Sequence, residues 1–292
     1  MAAVTNIENQ YVAVTSTSND RAGATTWWRL SGEVLRADLV KALNDAGLTD
    51  LADTVPCPEP ETALRRAVSE LRGKRRLIRP IRRGVWAVIE EEVDMTKDKL
   101  KHWEGPVARL DKIGRAQLDN ATPEEAELVT KQYAHHLQVL TTEDVSAWLS
   151  HRVQAASAVA MRGGGGVYYV PPAQMPLWRA IKNALASCAG GHRIHTLPTM
   201  EITSDGAEAI LDALSTEVET ACARIHKQCE EGLGVRALEY RTTFGQGLLN
   251  KVTEYESLMG TRLDRMRELL GTLEVDVAQA RMAAEAEVDD KA

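Results

Sequence analysis

Leu35, Leu39, Ala42, Leu43 and Ala46 repeat at helical spacing, with Ser31 ahead of them as an N-cap and Gly47 behind as a stop. A helix buries one face through such a stripe, so the pattern predicts a helix near 33–46. Past a connection holding Pro56, Pro58 and Pro60, a second stripe of Ala63, Leu64, Ala67, Val68 and Leu71 ends before Gly73. The period then changes. Residues 77–81 and 85–90 are short runs rich in branched and aromatic side chains on either side of Arg82, Arg83 and Gly84. They predict a β-hairpin with a basic turn, joined by a third strand near 107–110. Helix, helix, hairpin is the order of a winged-helix module, although no third helix is evident.

Helical spacing returns at Pro123, which suits the first helical position, with Glu124 and Glu125 in the first turn. Thr142 reads as the N-cap of a restart before Glu143 and Asp144, giving helices at 123–139 and 143–160. Val167, Tyr168, Tyr169 and Val170 form a strand stopped by Pro171 and Pro172. A helix at 174–189 ends at Gly190 and Gly191, and a strand follows at 192–197. This β–α–β order predicts a small mixed layer covered by helices.

From Ser204 the chain reads as helix to about 231, breaks at Gly232 and Gly234, and resumes as a longer helix. There Leu248, Val252, Tyr255, Met259, Arg262, Met266, Leu269, Leu273 and Asp276 step alternately by four and three. Such stepping is the seam of a helical hairpin or coiled coil, and Leu263 and Val277 take it over where Arg262 and Asp276 interrupt it. Leu248, Val252, Tyr255, Met259, Met266, Leu269 and Leu273 are therefore the expected contacts for self-association.

The fold class expected is α+β and predominantly helical. Four consecutive segments follow: a flexible lead-in at 1–26 with a short edge strand around Tyr11 to Val14, a winged-helix-like basic module at 27–118, helices with a β–α–β layer at 119–202, and a helical hairpin or coiled coil at 203–292.

Composition narrows the picture. The 292 residues are 44% hydrophobic but only 4% aromatic, a globular and helix-leaning mixture. Cys57, Cys188, Cys222 and Cys229 show no disulfide framework and read as reduced thiols. There is no signal-like N-terminus and no run of about 18 apolar residues, so a cytoplasmic protein without membrane contact is expected.

The net charge is −7, unevenly placed. The window 65–83 holds Arg65, Arg66, Arg72, Lys74, Arg75, Arg76, Arg79, Arg82 and Arg83 against Glu70 alone, so it carries +8 and the rest of the chain −15. Cationic side chains at a hairpin tip and along a helix flank can neutralise neighbouring phosphates and release counterions. The competing reading is a solvated face balanced by Glu90, Glu91, Glu92 and Asp94 downstream.

Other signals are weaker. Arg162 and Gly163–Gly166 lead into a strand, whereas a phosphate cradle leads into a helix, so they read as a turn. Cys222, His226 and Cys229 share a helical face at metal-ligand spacing, with Cys188, His192 or His195 as a distant fourth donor, but residues of this kind more often pack. The pair His135 and His136 is a fainter signal still. No catalytic motif is present, and neither a cofactor, a metal nor a small-molecule substrate is expected.

Trp27-Trp28-Arg29-Leu30-Ser31-Gly32, then Ala63-Leu64-Arg65-Arg66-Ala67, then Gly165-Gly166-Val167-Tyr168-Tyr169-Val170-Pro171 resemble, in order and spacing, a family of uncharacterised proteins carried by bacteriophages and some bacteria. The resemblance spans about two thirds of the chain and implies a phage-like origin, with no catalytic residues to carry over. The resulting expectation is a non-enzymatic nucleic-acid-binding protein that self-associates through its C-terminal helices. The alternative is an assembly or host-interaction protein whose coiled coil is the binding surface; an enzyme with a site assembled by the fold comes third.

Overall fold

Local sequence explains where each element of the computed structural model begins, and packing explains where it goes. The structure describes residues 22–73, 76–94, 99–199 and 201–289, with the side chains of 92–104 and 287–289 left aside. In chain order the first elements are β1 (Ala24–Arg29), β2 (Val34–Leu35), α1 (Arg36–Asp45), α2 (Thr49–Ala52) and α3 (Pro60–Ser69). Then come β3 (Arg76–Arg82), β4 (Val85–Asp94), β5 (Lys99–Leu110), β6 (Ala116–Asp119), α4 (Pro123–His136), β7 (Val139–Leu140) and α5 (Thr142–Ala155). The remainder are β8 (Val159–Ala160), β9 (Tyr168–Val170), α6 (Met175–Ser187), β10 (Arg193–Pro198), α7 (Ser204–Glu230), α8 (Val235–Met259) and α9 (Asp264–Asp289). The protein is α+β with long C-terminal helices and small antiparallel sheets. No helix among the described residues is long and apolar enough to cross a membrane.

Contacts divide the chain into two compact units drawn from interleaved segments, in place of four consecutive ones. One comprises Arg29–Leu149 and Ala180–Arg193; the other takes the segment up to Trp28, Ser150–Arg179 and the chain from Ile194.

In the first unit α3 starts with Pro60 at a first-turn position, where a missing N–H costs nothing, and buries Ala63, Leu64, Ala67 and Val68. These side chains meet Val88 of β4, Ala108 of β5, and Val129 and Tyr133 of α4 in one core. Strands β3-β4-β5-β6 form an antiparallel meander with β3 at an edge. Helix α4 opens with a capping box in which the Thr122 hydroxyl accepts from the Glu125 N–H at 3.3 Å and the Glu125 carboxylate accepts from the Thr122 N–H at 2.9 Å. The Tyr133 hydroxyl donates to the Gly114 carbonyl at 2.5 Å, tying α4 to the β5–β6 turn.

Three expectations change here. The four-residue α2 supplies the missing third helix before the hairpin, although the sheet continues to four strands. Val34 and Leu35 are a strand paired with β7, so α1 starts at Arg36 and Leu35 lies outside its buried face. The cap of α5 is Thr141, whose hydroxyl accepts from the Asp144 N–H at 3.3 Å while Asp144 accepts from the Thr141 N–H at 2.9 Å.

In the second unit β1 lies between β9 and β10, in the order β10-β1-β9-β8. The expected β–α–β layer is thus completed by a strand that straddles the boundary expected between the lead-in and the basic module. The strand expected around Tyr11 to Val14 falls outside the described residues. Thr26 links the layers: its hydroxyl donates to the His195 carbonyl at 2.8 Å and accepts from the Trp178 indole at 2.9 Å. Helices α7, α8 and α9 share a core with Val159 and Tyr169 through Leu214, Val218, Ile225, Val252, Tyr255 and Leu273. The single long helix expected through 248–276 is broken at Gly260, whose φ of +64° ends α8 in the left-handed conformation that glycine adopts without penalty. Buried Lys251 is satisfied by Glu217 and by the Ala158 carbonyl, each at 2.8 Å.

Candidate nucleic-acid interface

Seven of the nine basic residues in the window lie among the described residues, and they fall into two sets. Lys74 and Arg75 lie outside them. Arg66 is committed to Asp144 at 3.0 Å and to the Thr141 hydroxyl at 3.3 Å. Arg76 bridges Glu90 and Glu125, each at 2.6 Å. Arg83 reaches back from the hairpin tip to Glu61 in the first turn of α3, at 3.0 Å. The Glu125 carboxyl is held below the usual carboxylate range, first by the Thr122 backbone N–H and then by Arg76. Burial works against ionisation of Asp144, yet the hydrogen bonds from Arg66 and Thr141 outweigh it and hold that carboxyl low as well.

Arg65, Arg72, Arg79 and Arg82 differ. All four are exposed, and their guanidinium groups have no carboxylate or hydrogen-bond partner among the described residues. Arg65 lies on the exposed face of α3, and Arg72 lies three residues past its end, ahead of β3. Arg79 and Arg82 sit on β3, the edge strand, with Pro80 and exposed Ile81 between them. Pro and Arg on an edge also discourage pairing with another strand, so part of this composition serves the sheet itself. Of the expected pairing with the downstream acidic run, the described side chains include that of Arg76 with Glu90, while the side chains of Glu92 and Asp94 lie outside them.

The remaining sequence signals resolve individually. Arg162 closes its glycine turn on itself, its Nε donating to the Gly165 carbonyl at 2.7 Å, and Gly164, Gly165 and Gly166 all have positive φ. His226 is taken by Asp276 at 2.8 Å, and Cys222 is buried with its Sγ 3.9 Å from the Leu269 carbonyl, so this helix face packs against α9. Of the residues expected at an interface between chains, Leu248, Val252, Tyr255, Met266 and Leu273 are buried within the chain, and Met259 and Leu269 pack against the same cluster. The five buried side chains have their apolar surface covered within the chain, and Met259 and Leu269 remain partly exposed.

A different group converges. Glu33, His135 and His136 each offer a ligand atom within 4.8 Å of the others. The His135 Nε2 lies 2.7 Å from Glu33 Oε2, and the His136 Nδ1 lies 4.0 Å from Glu33 Oε1. Register brings them together: Glu33 immediately precedes β2, the two histidines end α4, and β2 pairs with β7 just beyond, Val34 opposite Leu140. Burial holds the His136 imidazole below its ordinary pKa. Sequence reasoning passed over this group because Glu33 stands 102 residues from His135, with no spacing motif to join them.

The fold and surface define an α+β protein of two interleaved units, with exposed arginines on and just after α3 and along the β3 edge that have no carboxylate partner among the described residues. The chain belongs to a family of unknown function, DUF6744, whose model matches residues 22–287. No curated protein and no solved structure matches it.

Proposed function

We propose that this protein binds nucleic acid, without catalysis, through Arg65 on α3, Arg72 just beyond it, and the β3 edge. The observation that carries this reading is the division of the basic window: Arg66, Arg76 and Arg83 are paired with carboxylates, whereas Arg65, Arg72, Arg79 and Arg82 are exposed and have no carboxylate partner among the described residues. Charge that the fold does not use is available to phosphates, and in a chain of net charge −7 it concentrates attraction in one place. The resemblance carried by Trp27 to Gly32 and by Gly165 to Pro171 supports a bacteriophage or bacterial origin and a place in the host cytoplasm.

Binding of generic duplex and single-stranded DNA at several salt concentrations tests the reading. Changing Arg65, Arg72, Arg79 and Arg82 to Ala should weaken duplex binding at low salt and reduce its log–log salt slope by about 3 to 4, at roughly 0.9 for each phosphate no longer neutralised. Circular dichroism should stay unchanged, since unpaired exposed charges add little stability. Unchanged affinity, or a parent without affinity at low salt, rejects the proposal.

A second reading, a protein partner or another copy docked on the C-terminal helices, is favoured by the exposure of Tyr240, Val275 and Met282 on α8 and α9. These, rather than the buried seam, are the side chains such an interface would use.

A further inference from the structure

The group at the end of α4 has a chemistry that nucleic-acid binding does not use. We propose that Glu33, His135 and His136 form a binding site for a divalent transition-metal ion, with zinc the best match to the donors.

Two imidazoles and one carboxylate are borderline nitrogen and hard oxygen donors, a set that suits zinc and leaves coordination positions open to water or a ligand oxygen. Magnesium and calcium, which prefer all-oxygen shells, match it less well. Tetrahedral bonds of roughly 2.0–2.1 Å place zinc ligands about 3.3 Å apart. That spacing lies between the 2.7 Å of His135 and Glu33 and the 4.0 Å of His136 and Glu33, and all three ligand atoms lie within 4.8 Å of one another.

The independent observation is His136. The residue is only 8% exposed, yet neither ring nitrogen has a hydrogen-bond partner among the described residues, while its Nδ1 faces the Glu33 carboxylate. Buried polar groups are rarely left without a partner, and a cation held between this ring and Glu33 would satisfy one of the two nitrogens. The surroundings accept positive charge. The histidines occupy the last turn of α4, where the helix dipole favours cations. Arg66, whose field reaches His136, is neutralised by Asp144. The pairing of β2 with β7 fixes both sides of the site through the backbone, and Arg36 N donates to the Gln138 carbonyl at 2.9 Å beside it.

The test is equilibrium dialysis of full-length, tag-free, reduced protein against Zn²⁺, read by elemental analysis, with Co²⁺ absorption as a second probe. About one zinc per chain is expected. Glu33→Gln and His135→Asn change exposed side chains that the fold can spare, and each should lower affinity at least tenfold with the circular dichroism spectrum unchanged. His136→Asn should remove binding. Zinc well below one equivalent in the parent, or affinity unchanged in Glu33→Gln and His135→Asn, overturns the proposal and leaves a histidine–carboxylate pair beside a buried ring.

Discussion

Glu256 ties the end of α8 to the start of α9. Its carboxylate accepts from the Leu263 N–H at 2.9 Å and from the Arg267 guanidinium, whose Nε lies 2.8 Å away. The Arg267 hydrogen bonds, with the Leu263 N–H second, push its pKa down to about 2. A depressed carboxylate contributes stability that is present above its ordinary value near 4.5 and lost as pH falls towards about 2. The thermal midpoint of the parent should therefore drop between about pH 5 and pH 2. Glu256→Gln should melt lower at neutral pH and show a smaller acid-induced drop, followed by circular dichroism; equal drops in both proteins would contradict the assignment. Little of this residue-level detail was legible. A Glu in a helix with an Arg eleven positions on carries no signal, and neither does Glu33, whose histidine partners come from a distant helix end. The arginines were legible as a charged window, but which of them the fold neutralises was not, since that depends on Glu125 and Asp144 arriving from other elements.

At the scale of elements, periodicity located most helices and strands to within a few residues because it reflects local burial. The stripe of Ala63, Leu64, Ala67 and Val68 is buried as expected, and so are Leu248, Val252, Tyr255, Met266 and Leu273. Periodicity does not name the partner. Gly260 reverses the chain, and the seam closes on α7 and α9 inside one molecule. Leu273→Asp should therefore lower the unfolding free energy by about 3–5 kcal/mol, a buried-site penalty, measured in urea. A seam shared between chains would behave differently. The variant would then be a stable monomer by light scattering beside an associated parent, and that result would restore the intermolecular reading.

At the scale of the whole molecule, the boundary expected near 202 cuts through a shared core. Val159 and Tyr169 pack with α7, α8 and α9, and the Tyr255 hydroxyl donates to the Ser157 carbonyl at 3.0 Å. A chain ending at residue 202 should lose hydrogen-exchange protection in β8 and β9, while α3 and α4, whose core is complete without the C-terminal helices, keep theirs. Protection retained in β8 and β9 would mean that this layer folds without those helices. What the sequence determined by itself was whatever is encoded between near neighbours: the α+β class, the helical chain from Ser204 onward, the hairpin and the concentration of positive charge. The tertiary structure alone decided the interleaving of the two units, the insertion of β1 between β9 and β10, the split among the arginines and the meeting of Glu33 with His135 and His136. The reason is physical. Periodicity and capping depend on residues a few positions apart, whereas pairing across a hundred residues depends on which buried surfaces fit, and a single chain of letters does not record that fit.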